Sequence, residues 1–126
     1  MTAEMQTVEG HKLRGKQLVI IEPGETPTFA ARPSFATVSG GAHWQLPLLL
    51  LTNRRFVISR EKLIGKPKAD FAAEWSEVSG VAGKLWNGAG PLIQLLVQTT
   101  GASVELLVNS AHAADVESAI RAGYLR

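Results

Sequence analysis

Residues 46–60 read LPLLLLTNRRFVISR and combine the densest apolar run of the chain with an abrupt change to charged side chains. A short apolar run followed by a second run of β-branched and aromatic residues predicts two buried strands. Between them, Thr52, Asn53 and Arg54 supply turn chemistry, because asparagine tolerates a positive φ and threonine hydrogen-bonds the local backbone. We therefore expect a tight central hairpin, with the other elements laid beside it.

Length and composition predict one folded domain. The chain has 126 residues, of which 45% are hydrophobic, and this is enough for a single core. It contains no cysteine, which excludes disulfides, thiolate metal sites and a cysteine nucleophile and fits a reducing compartment. The longest apolar run is far shorter than the roughly 20 residues that cross a bilayer, and the first residues lack an apolar signal segment. We expect a cytoplasmic protein, with a flexible tail or short helix at 1–17 and one domain at 18–126.

Turn signals divide the rest of the chain into further strands. Pro23 and Gly24 end a brief β-branched run, and Pro33 interrupts the extended segment 27–38, which predicts an edge strand or a bulge. Shorter strands are predicted at 71–75 and 78–86. The cleanest alternation comes near the end of the chain, where one set of side chains is predicted to share a buried face: Ile93, Leu95, Val97, Val104, Leu106 and Val108.

A helix is predicted from Ala111 to about Tyr124. Ser110 is the predicted N-cap, because its hydroxyl can accept a hydrogen bond from an unpaired amide of the first turn. Apolar residues then recur at helical spacing, at Ala113, Val116, Ala119, Ile120 and Tyr124. The predicted fold class is therefore mainly β (α+β), with about seven antiparallel strands followed by one amphipathic helix.

Three segments carry a resemblance to a known family: LLTNRRFVIS in the central hairpin, EWSEV at 74–78, and QTTGASVEL before the helix. Together they resemble the bacterial pleckstrin-homology-like (PH-like) domains, a group that is also similar to GRAM-like domains. The resemblance implies a partly open β-barrel closed by a C-terminal α-helix, in a protein that binds lipids, peptides or protein partners. Phosphoinositide-binding members carry clustered Lys and Arg between their first two strands. The corresponding segment here, residues 32–45, holds only Arg32 and His43.

No pattern of residues predicts catalysis. His11, His43 and His112 lie on three different predicted elements without the spacing of a zinc site, and no GxSxG or SxxK motif marks a nucleophile. Asp70 and Glu74 share one face of a predicted strand, but the lysines nearby favour a solvated charged edge over an acid–base pair. We predict no catalytic residue, no cofactor and no metal.

Aromatic and glycine-rich segments are predicted to be structural. The glycines at 86–90 precede a strand and not a helix, so they predict a turn instead of a phosphate-binding loop. Three tryptophans lie in or beside predicted strands, which favours packing against the core over stacking on a ligand: Trp44, Trp75 and Trp86.

The strongest candidate site is a basic group on the central hairpin and the loop after it: Arg54, Arg55, Arg60, Lys62, Lys66 and Lys68. Such a group can contact anionic lipid or a phosphorylated partner, and it can equally be a solvated loop that protects an edge strand. Nucleic-acid binding is disfavoured, because the single interleaved aromatic, Phe56, is predicted to point into the core. We expect a non-catalytic module that binds a protein or peptide partner. Binding to an anionic membrane is the alternative, and a small enzyme is a distant third.

Overall fold

A computed structural model describes residues 5–8, 11–14, 19–39, 41–60, 67–85 and 91–125. A 3₁₀ turn (Trp75–Glu77) lies between the eighth and ninth strands, and helix α1 (Ser110–Tyr124) follows the last strand. The strands in chain order are β1 (Met5–Val8), β2 (His11–Arg14), β3 (Pro27–Ala31), β4 (Phe35–Val38), β5 (Ala42–Gln45), β6 (Leu48–Thr52), β7 (Arg55–Ser59), β8 (Phe71–Glu74), β9 (Val78–Leu85), β10 (Leu92–Thr99) and β11 (Ser103–Asn109).

Every strand pair is antiparallel. The five-stranded sheet has the order β5-β4-β11-β10-β9, and the four-stranded sheet has the order β3-β6-β7-β8. Strands β1 and β2 form a separate hairpin that contacts β3. The described fold is therefore two antiparallel sheets of nine strands in total, with a small hairpin beside them and a single C-terminal helix.

Two long arms of the chain, 27–38 and 42–52, pass from one large sheet to the other. Pro33 lies between β3 and β4, and Pro47 lies between β5 and β6. Across this bend the Leu46 amide donates to the Ser34 carbonyl at 2.9 Å, and Arg32 Nη1 donates to the Leu46 carbonyl at 2.9 Å. Because proline cannot donate to a strand ladder, both arms change sheet at the same corner while remaining side by side.

The predicted count of about seven strands is wrong, and these bends are the main reason. The expected continuous strand at 27–38 is two strands in different sheets, and β5 pairs with β4 where the sequence predicted no strand. The predicted partly open barrel is also corrected: in the part of the chain that the structure describes, the sheets remain separate and no closed barrel forms.

The segment 1–17 differs from the expected tail or short helix in its described residues. Met5 pairs with Arg14 and Val8 with His11 across the β1–β2 hairpin. A polar segment without helical periodicity can satisfy its backbone groups by pairing with itself, and this pairing was not predicted from the sequence.

The main core lies between the two large sheets, and the predicted buried face of β10 and β11 is confirmed. Ile93 is partly buried against this core, and the other predicted positions are buried: Leu95, Val97, Val104, Leu106 and Val108. The central hairpin is confirmed as β6 and β7, with Phe56 fully buried as predicted. Facing the β10–β11 side chains, β6 and β7 contribute Leu49, Leu51, Phe56 and Ile58.

Helix α1 contacts strands of both large sheets, and Val116 and Ile120 are fully buried there. Its N-cap is Asn109 and not the predicted Ser110, because Asn109 Oδ1 accepts a hydrogen bond from the Ala111 amide at 2.9 Å. Asparagine and serine cap by the same chemistry, so the predicted start was wrong by one residue. No helix in the described residues has the length and apolar character needed to cross a membrane.

The end of α1 approaches Trp75 closely. A Cβ added to Gly123 would clash with the Trp75 ring, so the helix can pack this closely against Trp75 only with glycine at this position. Trp75 Nε1 donates to the Thr52 carbonyl at 2.8 Å, which fixes the ring against the central hairpin. The predicted core packing is confirmed for Trp75, and Trp44 is partly buried against the core, whereas Trp86 lies outside the described residues.

The central strands of the four-stranded sheet, β6 and β7, are buried on both faces. On the side away from the main core, a second apolar cluster forms from Ile20, Ala30, Leu48, Leu50 and Val57. Ile21 and Ala69 pack against it from the segments before β3 and before β8. All of β6 is therefore buried, which explains why its sequence is continuously apolar instead of alternating.

Candidate functional site

A buried carboxylate from a distant segment fixes the turn between β6 and β7. The side chain of Glu25 is fully buried, and Arg55 Nε and Nη2 donate to its two oxygens at 2.6 and 2.7 Å. Arg55 Nη2 also donates to the Ile20 carbonyl at 2.9 Å, and Thr52 Oγ1 donates to Glu25 Oε2 at 2.8 Å. This two-point contact is the strong form of an arginine–carboxylate pair.

The other side chains of the TNRR sequence complete the turn. Thr52 Oγ1 accepts from the amides of Arg54 and Arg55 at 3.0 and 2.9 Å. Asn53 Oδ1 accepts from the Thr26 amide at 2.8 Å, and the Asn53 amide donates to the Thr26 carbonyl at 2.9 Å. These hydrogen bonds attach the turn to the segment before β3 and hold it in place beside the four-stranded sheet.

The electrostatics of this pair favour its ionised form. Burial by itself raises the pKa of Glu25, but hydrogen bonds from Arg55, the Glu22 amide and Thr52, together with the Arg55 charge, outweigh burial and lower the pKa to about 2. The hydrogen bond to Glu25 raises the pKa of Arg55 in turn, against the opposing effect of its own burial. A carboxylate held ionised and fully paired is suited to a structural role and not to proton transfer.

The structure divides the predicted basic group between two ends of one strand. Arg54 lies directly before β7 and Arg55 is its first residue, whereas Arg60 follows its last residue, roughly 16 Å from Arg55 at the rise of an extended chain. The Arg60 amide donates to Asp70 Oδ2 at 2.7 Å, and its Nε lies 3.7 Å from Asp70 Oδ1. Thus Arg55 and Arg60 both face carboxylates, while Arg54 and Lys68 are exposed. The remaining two predicted members, Lys62 and Lys66, lie outside the described residues.

The other groups singled out by sequence are dispersed. Asp70 binds Arg60, whereas Glu74 faces Glu77, whose Oε1 accepts from the Glu74 amide at 2.9 Å. His112 lines a cavity of about 240 Å³ at the start of α1. In the described part of the chain, no three side chains of His, Asp or Glu come together in a way that could hold a metal ion.

A different surface stands out, which we call the open face: the side of the five-stranded sheet that points away from the main core. Its apolar centre consists of Phe35, Leu96 and Leu107, all partly buried. Around this centre lie Thr37, His43, Ala82, Lys84, Gln94 and Glu105. The described residues form no second apolar cluster on this side comparable to the one that covers the four-stranded sheet.

Strand register places the members of the open face in contact across the sheet. Lys84 lies beside Gln94, Gln94 beside Leu107, and Leu107 beside Phe35. The Phe35 and His43 rings stack with centroids 5.2 Å apart, and Thr37 Oγ1 is 2.8 Å from His43 Nδ1. These contacts hold the β4–β5 side of the face in one arrangement.

Two shallow cavities, of about 270 and 300 Å³, lie on the open face and share Glu105 as a wall. The first extends over β9 and β10 beside Ala82, Lys84 and Leu96. The second extends over β4 and β5 beside Phe35 and His43. Their lining residues come from all five strands of the sheet, and we refer to the two cavities together as the groove.

Gln94 lines this groove, and its side-chain oxygen is buried without a hydrogen-bond partner among the described residues. The residue is only 7% exposed, and its Oε1 has no hydrogen-bond partner within the described structure. An acceptor buried without a partner costs about 1 to 3 kcal/mol, so such atoms are rare in folded proteins. Gln94 lies outside the face of β10 that the sequence predicted to be buried, so the site was not predicted. The available signal was Leu96 and Leu107, two large apolar residues on the otherwise polar sides of their strands.

Comparison with known proteins adds no assignment to this geometry: no model of a known protein family matches the chain, and no curated protein matches it in sequence.

Proposed function

We propose that this protein is a non-catalytic PH-like module that binds a protein or peptide partner through the open face. The observation that carries the proposal is the uncovered apolar centre of that face, formed by Phe35, Leu96 and Leu107. A contiguous apolar patch with a polar rim is typical of an interaction surface. Here the rim carries both charges, on Lys84 and Glu105, and the stacked ring of His43.

The course of the chain supports the PH-like part of the proposal. When each arm that bends at a proline is counted once, the two large sheets consist of seven chain segments in the order arm, arm, β7, β8, β9, β10 and β11. The helix follows and contacts both sheets. This is the element order that the sequence resemblance implies, with the bends at Pro33 and Pro47 dividing two of its strands.

Among the residues that the structure describes, the charge distribution favours a protein partner over an anionic membrane. Arg55 is neutralised by Glu25 and Arg60 faces Asp70, so two of the six predicted cations already have carboxylate partners. The exposed Arg54 and Lys68 lie toward opposite ends of β7. A membrane contact of the polybasic type needs several cations on one side, each contributing about 1 kcal/mol.

Photo-crosslinking in cells that produce the full chain tests the proposal. A benzophenone amino acid replaces Ala82, which is exposed on the open face, and in a matched variant it replaces Ala72, which is exposed on β8. We expect a discrete crosslinked protein at position 82 that is absent at position 72 and is lost when Leu107→Ser is added. The absence of a crosslink at position 82, or the same crosslinks at both positions, would contradict binding through the open face.

A vesicle assay tests the alternative function. Sedimentation with neutral and phosphatidylserine-rich vesicles compares the wild type with a variant in which Arg60, Lys62, Lys66 and Lys68 are changed to Ser. We expect equal and negligible binding of both proteins to both vesicle types. Binding to anionic vesicles that fades with salt and is lost in the variant would replace the proposal with membrane recruitment.

A further inference from the structure

We propose that the groove of the open face binds an extended peptide segment of the partner, and that a peptide bond of this segment pairs with the side-chain amide of Gln94. The inference rests on the proposed function and adds the chemistry of the ligand. Its starting point is the one buried polar side-chain atom without a hydrogen-bond partner in the described structure, Gln94 Oε1.

The chemistry of Gln94 selects the kind of group that binds there. A carboxamide offers an acceptor and donors side by side, so its natural complement is a group that presents a donor and an acceptor at the same spacing. A backbone amide of an extended chain presents both. Because Oε1 itself is buried, the side-chain amide has to turn toward the groove before a peptide bond can supply the missing donor. At this nearly buried position water competes poorly for the contact.

The dimensions of the groove fit a short extended segment. From β9 to β5 the groove spans four interstrand spacings of about 4.8 Å, or about 19 Å in all. An extended chain rises about 3.3 Å per residue, so about six residues cross the whole sheet. The apolar centre lies midway along this path, where side chains of the segment can pack on Leu96, Leu107 and Phe35.

Charge gives the segment a sequence preference. Lys84 on β9 and Glu105 on β11 are two strands apart, roughly 10 Å, and the register offsets them by two residues along the strands, so their Cα atoms are about 12 Å apart. Side chains on one face of an extended segment recur at every second residue, and a spacing of four residues covers about 13 Å. Both side chains belong to exposed residues, and neither has an ion pair in the part of the chain that the structure describes. The complementary ligand carries an acidic and a basic residue four positions apart, so that both side chains face the groove, with an apolar residue two positions beyond the basic one to meet Phe35.

Fluorescence anisotropy with a synthetic probe tests this ligand directly. The probe is a fluorescein-labelled peptide of about eight residues in which three residues separate Glu from Lys and a Leu follows the Lys by two positions, so that all three side chains share one face. A second probe has the same residues in reverse order, and a third has them scrambled. We expect one of the two ordered probes to bind the wild-type protein at least about fivefold more tightly than the scrambled probe. Equal binding of all three probes would overturn the inference.

Two glutamine variants isolate the role of the amide. Gln94→Leu should weaken binding of the ordered probe about five- to tenfold, as expected for one lost hydrogen-bonded contact. The melting temperature of this variant should be unchanged or higher, because the substitution removes an unpaired buried acceptor. Gln98→Leu is the matched control on the same strand and face. Its Oε1 already accepts from Ser103 Oγ at 2.9 Å, and it does not line the groove, so binding should not change.

Methylation of the probe separates the backbone contact from side-chain contacts. The peptide nitrogens of the probe are methylated one at a time. Methylation of one of them should weaken binding of the probe to the wild type, and the same methylation should not weaken binding to Gln94→Leu any further. A lower melting temperature of Gln94→Leu with unchanged probe binding would make Gln94 a structural residue and overturn the inference.

The outcomes for the two proposals are distinguishable. If the crosslink at position 82 forms and Leu107→Ser abolishes it, but Gln94→Leu binds the ordered probe as the wild type does, then the face binds a protein without the extended-peptide contact. If sedimentation shows a dimer that Leu107→Ser dissociates, the face is occupied by a second copy of this chain, and the peptide inference is wrong.

Discussion

The two large sheets differ in what lies on their outer faces. The four-stranded sheet carries a second apolar cluster there, closed by Ile20, Ile21 and Ala69, and its turn is fixed by the buried pair of Glu25 and Arg55. The five-stranded sheet has an apolar centre on its outer face with no comparable cover among the described residues.

The difference indicates which sheet supports the fold and which sheet is available for binding. A sheet that is buried on both faces and held by an internal ion pair cannot expose new surface without losing its own stability, so it serves as the rigid scaffold. A sheet that is buried on one face already has its stability from the main core, and its other face remains available for a partner. The predictions below test this division, beginning with the largest expected effect.

Removal of the buried cation should have the largest effect. Arg55→Ala leaves the fully buried Glu25 carboxylate without its charged partner, and we expect a loss of about 3 to 5 kcal/mol in the free energy of unfolding. Arg60→Ala is the control, because its side chain is half exposed and its pair with Asp70 should contribute less than about 1 kcal/mol. Urea unfolding of both variants gives the values. Similar losses of stability in the two variants would mean that the buried pair with Glu25 stabilises the four-stranded sheet no more than an exposed pair does.

Truncation of leucines on the two outer faces compares the sheets directly. Leu50→Ala opens a cavity in the second apolar cluster and should cost about 2 to 5 kcal/mol. Leu96→Ala on the open face should cost about 1 kcal/mol or less, because the side chain is partly exposed and its loss leaves no closed cavity. The free energies are measured by chemical unfolding. A cost for Leu96→Ala equal to that for Leu50→Ala would show that the open face is covered in solution.

Acid should destabilise the scaffold through Glu25. Its pKa is lowered from 4.5 to about 2, so the stabilisation is fully present above pH 4.5 and is lost as the pH falls toward 2. We expect the wild type to lose on the order of 3 kcal/mol in this window from this group. Glu25→Gln is less stable at neutral pH but should lack this part of the pH dependence. Unfolding measured at both ends of the window in the two proteins gives the difference, and parallel curves would refute the assignment.

The smallest expected effect concerns the helix that joins the two sheets. Gly123→Ala forces a methyl group against the Trp75 ring and should cost about 1 to 3 kcal/mol through displacement of α1. In the control Gly80→Ala, the new methyl group meets nothing within 4 Å, so stability should hold or rise slightly. Thermal melting compares the pair. Equal melting temperatures would mean that the helix end is free to move away from Trp75.

Local pattern predicted a large part of this fold. The alternation in β10 and β11 identified their buried face, and helical spacing identified Val116 and Ile120 as core residues. Turn chemistry placed the central hairpin at Thr52 and Asn53. Each of these features depends on residues a few positions apart, whose geometry the backbone fixes within one element.

Other features depend on segments that meet only in the folded chain. The arginine that the sequence grouped with exposed cations pairs with Glu25, thirty residues away, and this contact turns a candidate binding residue into part of the scaffold. The bends at Pro33 and Pro47 coincide at one corner, so the strand predicted at 27–38 becomes two strands and a further strand, β5, precedes β6. Gln94 lies outside the predicted buried face of its strand, yet it is buried.

By itself the sequence determined which side chains share a face, because that follows from the period of each strand or helix. It could not determine what lies against that face. Only the tertiary structure decided that the outer side of β6 is covered and the outer side of β10 is open, because burial is set by contacts between distant segments. The proposed binding groove is the consequence of that difference.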